Sequence, residues 1–178
     1  MSTGWHIRPA TLADAPVLAA LGMQVWLERY AQDGIRPVIA EYVLQTFTEA
    51  QLQHALRDPQ QRFWLAEQQG HAAGFIQLGL GRPDPIRQLP QQVEVDRLYV
   101  QACQTRQGLG PALLGAAREV LQAEGWQGYW LTVWQGNPDA IRFYQREQFQ
   151  AVGVTWFELE QERHENQVLA QEWSTPRQ

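Results

Sequence analysis

The sequence contains no lysine, so arginine supplies all 14 of its basic residues. A phosphate-binding loop of the GxxxxGK type and a lysine Schiff base with pyridoxal phosphate are therefore both excluded. Serine is almost as scarce, since only Ser2 and Ser174 occur, and neither lies in the GxSxG pattern of a hydrolase nucleophile. These absences remove several large classes of enzyme.

The chain has one cysteine, Cys103, which excludes an internal disulfide and a cysteine-based zinc cluster. Its four histidines are never spaced as a helical pair of metal ligands, so we expect no metal site. No histidine lies close to Cys103 in sequence to activate it. We therefore expect a thiol without a catalytic role.

Long apolar runs are also missing, because none approaches the about 20 residues that a membrane span requires. The first residues, MSTGWHIRPA, lack the apolar centre of a signal peptide. A net charge of -5 argues against a nucleic-acid partner, which needs a basic surface, and suits a cationic ligand better. We expect a cytoplasmic protein with neither nucleic acid nor membrane as a partner.

The hydrophobic pattern predicts a single α/β domain over residues 1–178, with one mixed sheet of about seven strands flanked by helices. A length of 178 residues, 44% of them hydrophobic, is enough for one well-buried core. The strands are predicted at 5–8, 62–67, 71–80, 93–100, 128–134, 149–159 and 168–173. Helices are predicted from Thr11 to about 30, at 38–46, from Thr48 to 57, from the loop at 105–110 to about 125, and from Asn137 to about 146.

One loop has the pattern of an anion site. The strand VEVDRLYV is followed by TRQGLG and then by a helix with apolar residues at helical spacing. Gly108 and Gly110 carry no side chain, so a phosphate could approach the N–H groups at the start of the helix. A dinucleotide-binding fingerprint does not fit, because the third glycine is absent and the loop lies past the middle of the chain. The alternatives are another pyrophosphate compound and a turn that only packs the helix on the sheet.

Three segments in this order, EVDRLYV, RQGLGPALL and LTVWQGNPDAIRFYQREQF, resemble the GNAT superfamily of N-acetyltransferases. The resemblance extends over essentially the whole chain, including the opening IRPATLADAP. It implies the GNAT fold, acetyl-CoA as the co-substrate and direct transfer of the acetyl group to a primary amine. No metal takes part in that reaction.

The resemblance also implies roles for particular residues. Glu94, on the strand before the loop, is the candidate general base, and Tyr144 is the candidate acid for the leaving thiolate. A solvated strand face and aromatic packing beside Phe143 are the respective alternatives. The residues expected to bind acetyl-CoA are Leu98, Tyr99, Val100, Arg106, Gln107, Gly108, Leu109, Gly110, Pro111, Ala112, Asn137 and Tyr144.

A closer resemblance is to the PaiA-type bacterial polyamine acetyltransferases, through residues 130–134, Asn137, the Phe143–Tyr144 pair and the closing FELEQERHENQVLA. Two positions depart from the family pattern. Thr105 stands where Gln or Arg is usual, and Gln148 stands where glycine is usual. Arg106 supplies a neighbouring charge in the first case, and some loss of helix-end stability is expected in the second.

A small cationic amine such as a polyamine is the expected acceptor. Other acceptors remain open, namely another small amine, a protein N-terminus or a lysine, and so does a non-catalytic CoA-binding regulatory module. Homodimers are common in the superfamily, so a homodimer is one expectation for the assembly. The side chains that could surround a flexible cation are Trp26, Glu28, Tyr30, Glu41, Tyr42 and Trp134.

Overall fold

The computed structural model describes residues 4–159 and 161–174. Its elements follow one another as β1 (His6–Pro9), α1 (Ala15–Tyr30), α2 (Pro37–Thr46), α3 (Glu49–Arg57), β2 (Gln61–Gln68), β3 (His71–Leu80), β4 (Gln92–Val100), α4 (Leu109–Ala123), β5 (Gly128–Trp134), α5 (Pro138–Arg146), β6 (Gln150–Leu159) and β7 (Glu162–Glu172).

The seven strands form one mixed sheet in the order β1-β2-β3-β4-β5-β7-β6. β4 and β5 run parallel, as a strand–helix–strand crossover requires, whereas β1–β2, β5–β7 and β6–β7 are antiparallel. The predicted α/β class and the seven-stranded mixed sheet are confirmed.

Local capping explains where several elements begin and end. The hydroxyl of Thr48 accepts a hydrogen bond from the amide of Gln51 at the start of α3, as its capping position predicts. Beyond α4, Gly125 has a φ of 95°, the left-handed conformation that commonly ends a helix. Gln148, beyond α5, has a φ of 68° without being a glycine, so this departure from the family pattern carries backbone strain.

The last strand begins earlier than predicted. β7 starts at Glu162 rather than at residue 168, because the polar segment ERHENQ pairs with β6 through its backbone. Exposed hairpin strands need no apolar alternation, so this segment gave no signal in the sequence. At the other end of the chain, α1 begins at Ala15 after a 3-10 turn at Leu12–Asp14 that Thr11 precedes.

The described residues form two compact units. The first contains residues 4–78 and 97–117, and its core includes Leu18, Leu65 and Phe75. The second contains residues 79–96 and 118–174, with Trp130 and Val168 in its core. A single domain over 1–178 stays a prediction, and its residues 1–3, 160 and 175–178 lie outside the described part. None of the described helices is long and apolar enough to cross a membrane.

Candidate active site

The predicted phosphate loop lies in the first unit and leads into α4. Arg106 and Gly108 both have left-handed backbone conformations, with φ of 62° and 86°. The amide of Ala112 donates to the carbonyl of Gly108 over 3.1 Å, so the helical bonding begins at that glycine. A left-handed turn directs successive N–H groups to one side, and the first N–H groups of a helix have no partner within it. This geometry suits an anion.

Two side chains fix this loop from inside. The hydroxyl of Thr105 donates to the carbonyl of Ala102 over 2.8 Å, and the amide of Gln107 donates to the carbonyl of Cys103 over 3.0 Å. Thr105, the first departure from the family pattern, therefore stabilises the turn before the loop. Positive charge at the loop comes from Arg106, whose side chain is exposed.

The segment of β4 expected to bind acetyl-CoA, Leu98 to Val100, is half-buried. Within it, the ring of Tyr99 packs edge-on against Phe75, with centroids 5.4 Å apart. Burial raises the pKa of Tyr99 to about 12, so its phenol stays neutral and serves packing. A role for this segment in binding acetyl-CoA stays a prediction, and it would involve the backbone N–H groups rather than the Tyr99 phenol.

An arginine that the sequence pattern did not mark lies beside this segment. Arg97 donates through Nη1 to Oε1 of Gln77 over 2.7 Å, and Gln77 donates through Nε2 to Oε1 of Gln61 over 2.8 Å. The Arg97 guanidinium also lies 5.1 Å from the ring centroid of Phe47. Because Gln77 is only 3% exposed, its amide has to find partners in the protein, and Arg97 is one of them. Arg97 and Gln77 are 20 residues apart in sequence. The alternation of apolar and polar residues along a strand could therefore not reveal their hydrogen bond.

Three of the aromatic residues that could surround a cationic acceptor contact one another in the first unit. The Trp26 centroid lies 4.7 Å from that of Tyr30 and 4.7 Å from that of Tyr42, which joins α1 to α2. Both tyrosines keep about half of their surface exposed. The carboxylate of Glu28 instead accepts a hydrogen bond from the amide of Ala102 over 3.2 Å, two residues beyond β4.

In the second unit, Glu94 is bound by an arginine. Nη1 of Arg82 lies 2.8 Å from Oε2 of Glu94 and 3.7 Å from Oδ2 of Asp96. A Cβ on Gly79 would lie 2.7 Å from the Arg82 guanidinium, so the glycine leaves the space in which that guanidinium lies. The indole of Trp130 fixes the arginine further by donating to its carbonyl over 2.7 Å. The two carboxylates therefore share a cation that belongs to the chain itself.

α5 carries the last two predicted residues. Oδ1 of Asn137 accepts a hydrogen bond from the amide of Ala140 over 3.2 Å and so caps the helix. The ring of Tyr144 lies 5.0 Å from that of Phe143 and 5.2 Å from that of Phe149, measured between centroids. Tyr144 therefore makes the contacts expected of an aromatic packing residue. Its role as the acid for the leaving thiolate stays a prediction.

The remaining candidates are spread over both units. Cys103 is an exposed free thiol next to the glycine loop. Glu41 is exposed on α2, and Trp134 is 44% exposed at the end of β5. Within the described ranges, no group of three histidine, cysteine, aspartate or glutamate side chains could hold a metal ion.

Comparison with known families decides which class of enzyme this fold and this loop belong to. The model of the acetyltransferase (GNAT) family matches residues 24–149, which is more than half of the chain. The chain belongs to the GNAT family. It is therefore an acetyl-CoA-dependent N-acetyltransferase, and the resemblance drawn from the three sequence segments is confirmed.

The individual relatives of this GNAT protein match it at low sequence identity. An uncharacterised N-acetyltransferase of Lactobacillus delbrueckii subsp. lactis is 25% identical over 142 residues, which cover 80% of this chain and 82% of that protein. The crystal structure of the PaiA N-acetyltransferase of Thermoplasma acidophilum with coenzyme A has a TM-score of 0.73 at 18% identity, covering 96% of this chain and 99% of that one. The ribosomal-protein-S18-alanine N-acetyltransferase of Escherichia coli has a TM-score of 0.65 at 19% identity, covering 95% and 94%.

Proposed function

We propose that this GNAT enzyme transfers the acetyl group of acetyl-CoA directly to a primary amine of a small cationic acceptor such as a polyamine. The observation that carries the acceptor class is the carboxylate pair of Glu94 and Asp96, which already binds a guanidinium in the structure. Two carboxylates against one guanidinium leave a net charge of about -1, which attracts a cationic amine. The net charge of -5 for the whole chain acts in the same direction.

Acetyl-CoA binding is assigned to the glycine loop and to the residues predicted with it. The N–H groups around Arg106 and Gly108 would hold the pyrophosphate, assisted by the dipole of α4. Apart from its chain neighbours, none of the residues that the structure describes lies within 4 Å of the position of a Cβ on Gly108, so none of them obstructs a phosphate there. We assign the pantetheine and thioester to the backbone of Leu98 to Val100 and to Asn137.

The reaction needs a proton acceptor, because a primary ammonium of pKa about 10 has no lone pair until it loses a proton. We assign this role to Glu94. Arg82 binds Oε2 of this carboxylate, which leaves Oε1 as the oxygen to receive the proton, directly or through a water molecule. Asp96 is the secondary carboxylate, farther from the arginine at 3.7 Å.

The acetyl transfer then forms one C–N bond and breaks one C–S bond. The amine nitrogen attacks the thioester carbonyl and forms the new C–N bond, while the backbone N–H groups of Leu98 to Val100 stabilise the charge on the oxygen. The C–S bond breaks, and the CoA thiolate takes a proton from the phenol of Tyr144. The amine nitrogen then gives a second proton to the Tyr144 phenolate, directly or through a water molecule, which restores the phenol. The products are the N-acetylated amine and CoA, with the first ammonium proton on Glu94.

The segments that resemble the PaiA-type polyamine acetyltransferases in sequence support the acceptor class. The likeness to the PaiA structure, at 18% identity, concerns the fold alone and does not bear on the acceptor. The same fold occurs in an enzyme that acetylates an alanine of a ribosomal protein, so the fold admits several acceptors. The side chains of this particular protein must therefore determine which acceptor it uses.

A panel of acceptors tests the proposal. Purified protein would be incubated with acetyl-CoA and either spermidine, a neutral aromatic amine, a lysine-containing peptide or a peptide with a free N-terminal alanine. Products would be identified by mass spectrometry. Acetylated spermidine, formed faster than any acetylated peptide, is the expected result. Preferential acetylation of either peptide would overturn the acceptor class and leave the enzyme class intact.

A further inference from the structure

Three rings in the second unit form a cluster that the proposed reaction does not use. His164 stacks on Phe157 with centroids 4.9 Å apart and an angle of 25° between the planes, and it meets Trp134 edge-on at 6.4 Å. Trp134 is 44% exposed and Phe157 is 38% exposed. These three residues are called the hairpin aromatic cluster below.

Strand pairing fixes the members of this cluster on one face of the sheet. Phe157 is the register partner of His164, and Trp134 is the partner of Asn166, two residues farther along β7. Side chains that pair across strands, or lie two apart along one, share a face. A Cβ on Gly136 would overlap the indole of Trp134, so the glycine allows the ring to lie against the turn after β5.

A carboxylate on the same face complements a cation. Oε2 of Glu162 lies 3.8 Å from Nε2 of His164 and adds negative charge beside the rings. Aromatic faces and a carboxylate both favour an organic ammonium ion.

The hairpin aromatic cluster lies a defined distance along the sheet from Glu94, the proposed base. Glu94 is the register partner of Trp130, and Trp134 follows four residues along β5 on the same face. At 3.3 Å per residue, the cluster lies about 13 Å along the strand from the register position of Glu94. The amine that reacts beside Glu94 cannot also contact Trp134, but a second ammonium on a long, flexible acceptor can.

We propose that the hairpin aromatic cluster binds the distal ammonium of an elongated polyamine and so favours polyamines over short monoamines. This inference rests on the proposed transfer to a cationic amine. The same hairpin already shows the interaction on its other face, where the guanidinium of Arg163 lies 4.8 Å from the ring centroid of Trp156. Trp156 is 49% exposed and engaged by that arginine, which makes it the matched control for Trp134.

The test compares Trp134→Leu, Trp134→Phe and Trp156→Leu, with spermidine and propylamine as acceptors at saturating acetyl-CoA. Trp134→Leu should raise the KM for spermidine about tenfold, with kcat within about twofold and the KM for propylamine unchanged. Trp134→Phe should retain most of the affinity because it keeps an aromatic face, and Trp156→Leu should change neither KM. An unchanged spermidine KM in Trp134→Leu, an equal rise for propylamine, or an equal loss in Trp156→Leu would overturn the proposal.

Calorimetric binding of spermidine separates this inference from the proposed function. If the wild-type protein acetylates neither amine, the acceptor class fails, and the cluster is then judged by binding alone. Binding to wild type and to Trp156→Leu, but about tenfold weaker binding to Trp134→Leu, would uphold a polyamine site at the cluster. The same affinity in all three proteins, or none in any, would overturn it.

Discussion

Arg82 donates through Nη1 to Oε2 of Glu94 over 2.8 Å, so the proposed general base of this GNAT enzyme is oriented by a cation of its own chain. Asp96 is 3.7 Å from the same nitrogen, and its side chain is 35% exposed against 22% for Glu94. The two carboxylates share one arginine but differ in how firmly they are held. A base works best when its position is fixed, so catalysis should depend on Glu94 far more than on Asp96.

Replacing Glu94 by Gln should lower turnover by about 10²- to 10⁴-fold and flatten the rise of the rate with pH, because the amide accepts no proton. Asp96→Asn is the matched control and should lower turnover less than about tenfold. Initial rates at saturating acetyl-CoA and acceptor, from neutral to alkaline pH, measure both effects. An unchanged pH profile in Glu94→Gln, or equal losses in the two variants, would remove Glu94 from the base role.

Tyr144→Phe should lower turnover by about 10²-fold while leaving the KM for acetyl-CoA close to that of wild type. The substitution keeps the ring contacts with Phe143 and Phe149, so the Tm should fall less than in a variant that disturbs this packing. Phe143→Leu, which alters packing without removing a phenol, is the control and should lower the Tm more than the turnover. Full turnover in Tyr144→Phe would show that the tyrosine only packs.

Two glycines allow backbone strain to be separated from ligand binding. Gly108 and Gly125 have φ of 86° and 95°, and among the described residues only chain neighbours lie within 4 Å of a Cβ on either. Alanine at either position should therefore cost about 1 kcal/mol of unfolding free energy. Only Gly108→Ala should also weaken CoA binding, measured by calorimetry, because its methyl group would occupy the approach of the pyrophosphate. Equal CoA affinity in the two variants would contradict the assignment of the loop.

Most of the fold could be predicted because the local sequence pattern of most helices and strands agrees with the structure they adopt. β3 and β5 have the predicted bounds, and α5 follows the predicted asparagine cap. The first half of β7 could not be predicted, since ERHENQ is polar and becomes a strand only through pairing with β6. Loop 81–91 likewise gave no sign of its buried carboxylate, Asp84, which accepts hydrogen bonds from the amides of Ile86 and Arg87.

Some residues of the candidate site could likewise be predicted from the sequence, and others could not. The glycine loop and the positions of Glu94, Asn137 and Tyr144 followed from short segments that resemble a known family. Arg82 and Arg97 did not, because their partners lie 12 and 20 residues away across strands and loops. Long-range pairs of this kind leave no periodicity in a single sequence. They become visible only once the strands are placed side by side.

A bidentate ion pair in the first unit predicts a pH-dependent stability. Two nitrogens of Arg8 each lie 2.8 Å from an oxygen of Asp14, and this bonding lowers the pKa of Asp14 to about 2. Since the unfolded value is about 3.9, the stabilisation is present above about pH 4 and is lost as the pH falls toward about 2. Urea unfolding across that range should show a steeper loss in wild type than in Asp14→Asn. Parallel curves would contradict the ion pair.

The most direct test of the proposed function is the release of CoA thiol from acetyl-CoA by the wild-type protein, with and without spermidine. The result expected is release that depends on spermidine, saturates with its concentration and is nearly abolished in Glu94→Gln. Release at the same rate without an acceptor, or no release with spermidine while a peptide supports it, would contradict transfer to a cationic small amine.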